Sequence, residues 1–388
     1  MKSSCRTNEP SFQSMATNTV LLPLCAVSLI TSGFVLSANA NERKTAIITF
    51  DAPGATHGPG QGTHGNAISP QGTITGFFDL NGNHGFVRAR DGTFITFDVP
   101  GAGTGPFHGT YGFSINPAET ITGPYVDASG LAHGYVRASD GTFTTFDAPG
   151  AGTGSGQGTF AFNINPAGTI AGYYLDASNA FHGFVRAPNG AITTFDVPGA
   201  GTGPGQGTFT AEVDGLNPAG AITGNYSDAS SVNHGYVRAR NGAITTFDAP
   251  GAGTGPGQGT LLAGINAGGT VTGAYLDASN VFHGFVRAPN GGITTFDVPG
   301  AGTGPFQGTI GEAINPVGTI PGNYIDASSV NHGFVRDKHG GLTTFDAPGA
   351  GTGTGQGTIP AVNNPPGAIV GSFVDANNAF HGFLLEGE

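Results

Sequence analysis

The stretch Phe181-His182-Gly183-Phe184-Val185-Arg186-Ala187-Pro188-Asn189-Gly190-Ala191-Ile192-Thr193-Thr194-Phe195-Asp196-Val197-Pro198-Gly199 decides the fold. Two runs of aromatic and β-branched residues flank Pro188-Asn189-Gly190, so the segment reads as two short strands joined by a hairpin turn. Upstream, residues 159–165 form a candidate strand that ends in Asn165-Pro166-Ala167-Gly168. This is a turn with Pro at its second position and Gly where a positive φ is needed. Residues 169–176 form the next strand, and Ala177-Ser178-Asn179 turns the chain into the segment quoted above. Downstream, residues 198–207 make a Gly-rich crossover. The unit is therefore four short antiparallel strands, three tight hairpins and one longer connection.

This unit recurs along the chain. His-Gly-Phe/Tyr begins at His84, His133, His182, His234, His283, His332 and His381, and Phe-Asp-Ala/Val-Pro-Gly begins at Phe50, Phe97, Phe146, Phe195, Phe247, Phe296 and Phe345. The step is 49 residues except for one of 52, where a small insertion falls near Glu212-Val213-Asp214. Four strands in each of seven such units is the arithmetic of a β-propeller. The ends agree. Residues 46–51 read as a fourth strand lacking its first three, and residues 380–385 as a third strand lacking its fourth. Paired, they complete one blade and remove the free edges that an open β-solenoid would leave. The expected fold is all-β, a seven-bladed β-propeller of four-stranded antiparallel blades, closed by the N-terminal strand pairing with the C-terminal blade. Both strand parities carry bulk, as sheets packed on both faces require. With a two-residue turn at Asn189-Gly190, Phe184 and Phe195 face each other on one side, with Tyr174, Val185 and Ile192 on the other.

Composition narrows the class. Of 388 residues, 70 are Gly and 26 Pro, only 10% are charged, and Trp is absent. Long amphipathic helices do not suit this content, and the glycines lack the period of three of collagen. With 28 Phe and 9 Tyr to bury and little charge, the chain is not a charge-driven disordered one. A formal net charge of −12 excludes nucleic acid as the expected partner. Lys2 and Arg6 precede an apolar run over residues 20–36 that ends in Ser37-Ala38-Asn39-Ala40, which reads as a secretory leader over residues 1–40. Translation starts at Met1 or Met15. The run is short and interrupted for a membrane anchor. The mature part, residues 41–388, then holds one repeat domain and no cysteine, since Cys5 and Cys25 both lie in the leader. A secreted or periplasmic protein held together by packing alone is expected.

The pattern Ile164-Asn165-x-x-Gly168-x-Ile170-x-Gly172, with Asp176-Ala177, His182-x-Phe184 and Asn189-Gly190, resembles the bacterial extracellular repeats named for a His-Ala-Phe motif. Here Gly stands where that motif has Ala, and Val-Arg where Leu-Trp is common. The resemblance covers residues 45–385 and implies an exported repeat protein. It assigns no activity to any residue.

Strand direction sorts the repeated polar residues onto two rims. One holds the histidines His84, His133, His182, His234, His283, His332 and His381, the strand-end aspartates Asp51, Asp98, Asp147, Asp196, Asp248, Asp297 and Asp346, and the turn aspartates from Asp79 to Asp375. A residue needed in every blade is expected to build blades, so these are read as turn caps and loop anchors. The other rim carries Arg88, Arg137, Arg186, Arg238, Arg287 and Arg336, read as solvated strand ends. Histidines spread around a ring lie too far apart for one tetrahedral metal, so no cofactor is expected beyond weak calcium at the acidic rim.

Binding candidates are of two kinds. The crossover glutamines Gln61, Gln157, Gln206, Gln258, Gln307 and Gln356, with His108 in their place in the second unit, offer neutral donors and acceptors suited to hydroxyl-rich ligands. Glu212, Asp214 and Glu312, with His57 and His64, break the repeat. No Gly-x-Ser-x-Gly, His-Glu-x-x-His or P-loop is present. The expectation is an exported, monomeric, non-enzymatic binding scaffold for a glycan or cell-surface partner. The alternatives are a propeller enzyme acting on a saccharide, lactone or ester at the acidic rim, or a structural component of a surface layer or matrix.

Overall fold

The computed structural model describes residues 46–387, so the expected leader over residues 1–40 lies outside the described part. Every described repeat is a four-stranded antiparallel sheet. In the third repeat the strands are Gly158–Ile164, Ile170–Leu175, Phe181–Arg186 and Ile192–Phe195. The first strand of the second repeat is split into Gly109–Thr110 and Ser114–Ile115. Among the described residues there is no helix, and none therefore long and apolar enough to cross a membrane. The sheets close into a β-propeller. Ile47–Phe50 pairs with Phe380–Leu385, from Ile47 opposite Leu385 to Phe50 opposite Gly382. Across the same junction, Asn364 Nδ2 donates to the Ser69 carbonyl at 3.1 Å, and Gly65 N donates to Ser372 Oγ at 3.2 Å.

One expectation fails by a single residue. Phe195 lies opposite Gly183, and Phe184 opposite Thr194. The Pro188-Asn189-Gly190 loop holds three residues, with Gly190 at φ 91 and Ala187 N donating to Ala191 O, which shifts the register by one. Phe184 therefore shares a face with Tyr174 and Ile192, packed toward the second blade through Val136 and Phe146. Val185 and Phe195 share the other, packed against Ile222, Tyr226 and Tyr236 of the fourth. Two apolar faces per blade follow, as both parities of bulk require.

The shift also explains the glycine of His-Gly-Phe. A Cβ on Gly183 would enter the Phe195 ring, and the same clash recurs at Gly134, Gly235 and Gly284. Gly172 is tighter, because a Cβ there would overlap the Phe160 carbonyl oxygen and press on Phe184, which is 0% exposed. We expect Gly172→Ala to cost about 3 kcal/mol by overpacking, read as a fall in the urea midpoint at unchanged slope.

Three polar belts tie blade to blade. Thr63, Thr110, Thr159, Thr208, Thr260, Thr309 and Thr358 are all 0% exposed. Each hydroxyl accepts the N–H of the residue after the repeat aspartate, at 2.8–3.0 Å. Asparagines of the first turn form a second belt: Asn116, Asn165, Asn217 and Asn266 each donate from Nδ2 to the corresponding carbonyl of the next blade, at 3.1–3.3 Å. The third belt corrects the reading of the arginines as solvated. Each guanidinium lies 4.7–5.1 Å from a phenylalanine ring of the preceding repeat unit, as Arg186 does over Phe146. Arg88 and Arg137 are buried. Desolvation lowers the guanidinium pKa at Arg88, Arg186 and Arg238, and the ring face supplies part of what water no longer does.

Candidate functional site

The rim formed by the crossovers is self-contained. Asp176 Oδ1 accepts the N–H groups of Ser178 and Ala180 at 2.7 and 2.9 Å, and Asp228, Asp277, Asp326 and Asp375 do the same in their blades. Desolvation opposes ionisation of Asp176, but these N–H bonds and then His182 outweigh it and lower the pKa. His182 Nδ1 lies 2.8 Å from Asp196 Oδ1 and Nε2 lies 3.5 Å from Asp176 Oδ2, with the ring stacked on Tyr174 at 4.9 Å. All seven repeat histidines bind the strand-end aspartate in this way, at 2.8–3.0 Å.

The crossover glutamines are turned inward to the loops. Gln157 Oε1 accepts from Gly154 N at 2.9 Å, while Nε2 donates to Asn179 Oδ1 at 2.9 Å and to Ala177 O at 3.3 Å. Gln206, Gln258, Gln307 and Gln356 repeat this clamp between crossover and second turn. Their amides close loops, a use that residue type alone did not reveal. Gln61 is exposed beside Gly58, and His108 folds over Gly105 in the second repeat.

The residues that break the repeat behave differently, because three of them meet in the channel. The insertion leaves the first strand of the fourth blade after Thr210 and leans across the axis. Asn163 of the third blade clamps it, with Nδ2 donating to Ala211 O at 2.6 Å and Oδ1 accepting from Gly215 N at 2.9 Å. Asp214, at φ 47, accepts the N–H of Ile265 on its carbonyl at 2.9 Å. Val213 packs onto the cluster that holds Ala67, Ile115, Ala313 and Val362, residues of four other blades. The loop is thus a plug. Beside it lies a small open recess whose polar lining is Asn66, Ser114, Asn163, Glu212 and Asp214.

These carboxyls hold their protons tightly. Burial pushes Asp214 up to about 7, partly offset by the Ile314 N–H. Burial and then the charge of Glu212 push Glu312 up to about 8. Glu212 is also raised by burial, against the hydroxyl of Tyr173, which donates to Oε1 at 3.4 Å. At neutral pH the group includes protonated carboxyls, which donate as well as accept.

Sequence reasoning singled out the three acids but missed Asn163 and Tyr173. The signal was present. Ala67, Ser114, Asn163, Gly215, Gly264, Ala313 and Val362 hold one equivalent place before the first turn, and no residue type dominates there. The place varies because it faces the channel, where the insertion meets each blade differently: Asn163 bonds it, while Ala67, Ala313 and Val362 pack with Val213.

The closed ring of four-stranded sheets makes the chain a β-propeller protein. It is similar to a puromycin hydrolase, with a TM-score of 0.51 at 12% identity over 84% of this chain and 52% of that one. It thus spans about half the length of that enzyme. A lectin, BP39L from Burkholderia pseudomallei, superposes with a TM-score of 0.48 at 10% identity, covering 88% of this chain and 96% of the lectin. Identities this low speak for the fold alone. No protein-family model and no curated protein matches the chain.

Proposed function

We propose that this chain is an exported binding protein whose ligand site is the channel recess, and that it takes the tip of a neutral, hydroxyl-rich ligand such as a glycan. The observation that carries this is the convergence of Asn66, Ser114, Asn163, Glu212 and Asp214 on one recess, at places where the repeat is broken. Asn163 commits both amide atoms to the insertion, so the groups left to a ligand are Asn66 Oδ1, the Ser114 hydroxyl and the Glu212 and Asp214 carboxyls, whose pKa values burial raises. The export reading rests on the leader-like sequence and on the resemblance to extracellular His-Ala-Phe repeats. The recess is small enough to take a single hydroxyl, with the rest of the ligand lying across the mouth.

The test is a glycan array followed by calorimetry on the best ligand. Glu212→Ala with Asn66→Ala should weaken binding at least tenfold, while Gln258→Ala with Gln307→Ala, on the crossover rim, should leave it unchanged. Loss of binding in the glutamine variant alone would move the site to that rim. One observation favours a second reading: Glu312 keeps its proton at neutral pH beside Glu212, a pair suited to general acid–base work on a glycoside or ester. Turnover abolished by Glu312→Gln would establish an enzyme.

A further inference from the structure

The junction that closes the propeller carries a feature that no other blade has. In six crossovers the sixth residue after the repeat aspartate is threonine: Thr104, Thr153, Thr202, Thr254, Thr303 and Thr352. In the crossover that follows Asp51 it is His57. The seven repeat histidines are spread one to a blade, but His57 is an eighth and folds back onto the seventh, His381. Its ring stacks on His381 with centroids 5.3 Å apart at 28°. His57 Nε2 lies 3.4 Å from Asp51 Oδ2, and His381 Nδ1 lies 3.0 Å from Asp51 Oδ1. One ligand atom from each of the three residues falls within 4.8 Å of the other two.

We propose that Asp51, His57 and His381 form a binding site for one divalent transition-metal ion of the zinc type. Imidazole nitrogen and carboxylate oxygen are the ligands such ions take, at about 2.0–2.2 Å. Tetrahedral ligands at that distance stand about 3.3 Å apart, and one oxygen, Asp51 Oδ2, lies 3.4 Å from His57 Nε2 and 3.1 Å from His381 Nδ1, on either side of that spacing. His381 is already oriented for the task. Its far nitrogen, Nε2, lies 3.6 Å from Asp375 Oδ2, beyond hydrogen-bond length, and the nearby carboxylate favours the ring proton on that nitrogen, which leaves Nδ1 to the metal. A carboxylate behind a ligating histidine is the usual outer-shell support. The Asp51 and His57 side chains are 37% and 46% exposed, so the ion has an open path and a fourth position for water.

The placement gives the site a consequence. Asp51 follows the N-terminal strand and His381 lies on the last strand of the chain, so the ion would bridge the two chain ends and hold the ring shut. Binding to the folded state alone raises stability in proportion to the logarithm of free metal over Kd. The site lies on the crossover rim, apart from the channel recess, so it stands or falls independently of the proposed ligand site.

The experiment uses untagged protein stripped with chelator and titrated with zinc chloride by calorimetry, alongside melting curves with and without zinc. Wild type should bind one zinc per chain with micromolar or tighter Kd and melt higher with metal present. His57→Thr restores the residue that the other crossovers carry and should keep the metal-free melting temperature. It should lose zinc binding at least thirtyfold and lose the melting shift. Wild type that binds no tighter than millimolar overturns the proposal. So does a His57→Thr protein that binds zinc as wild type does, or a stoichiometry near seven, which would place the metal on the repeated His–Asp pairs.

Discussion

A chain that begins at Gly54 should fail to form a stable monomer. Removing what precedes it takes away Ile47–Phe50, the outer strand of the closing blade, and leaves the Phe380–Leu385 edge unpaired. It also takes Phe50, whose ring is 8% exposed, packs 6.2 Å from Phe86 and lies 5.0 Å from the Arg88 guanidinium. One strand thus supports both the last blade and the wall of the first. Truncating Phe50 alone to Ala should cost about 3–4 kcal/mol. Loss of the whole strand should approach the ~5–15 kcal/mol that holds an ordinary domain together. Light scattering should show oligomers formed through the exposed edge, and the thermal transition should broaden or vanish. A truncated chain that stays monomeric and melts where the full chain does would show that the pairing contributes little.

Stability should also fall as pH rises from about 5 to 9, and the channel acids should account for the fall. Asp214 and Glu312 have folded-state pKa values of about 7 and about 8, against ordinary values of 3.8 and 4.5. The folded chain holds these protons more tightly than the unfolded chain. The stability they lend is full below the ordinary values, declines as pH climbs past them, and is gone above the folded values. At ~1.4 kcal/mol per pH unit this is on the order of 4–5 kcal/mol for each group. Glu312→Gln should therefore melt near wild type at pH 4.5 and well above it at pH 8.5, since the amide has no proton to lose. The rim aspartates act oppositely. Asp176, Asp228, Asp277 and Asp375 have lowered pKa values, so their contribution is present above the ordinary value and lost only as pH falls below it. A Glu312→Gln protein with the same pH slope as wild type would remove the channel acids as the cause.

Much of this molecule is readable one residue at a time. The seven strand-end Phe-Asp pairs, the Asn-Gly hairpins and the half-blades at each end were enough for a closed ring, because blade formation rests on local turns and on burial of both sheet faces. The turn aspartates could be read as caps because an Asx turn closes within four residues. What could not be read is whatever depends on a neighbouring blade. The one-residue register in the Pro188-Asn189-Gly190 hairpin follows from a three-residue loop, and Phe195 sits over Gly183 as a result. The arginines looked solvated because the phenylalanines they cover lie about forty residues away in sequence. The glutamines looked free because their partners sit on the next turn, Asn179 for Gln157.

Local pattern and count suffice for the architecture, the two rims and the short set of residues that break the repeat. What those residues do depends on contacts between blades. Ring closure brings Glu212, Asp214 and Glu312 from two blades into one channel, where loss of water raises their pKa values, and brings His57 onto His381 across more than three hundred residues. Distance along the chain carries no information about such encounters. They follow from the rotation between blades and from the crossing of the insertion over the axis, and both are products of packing.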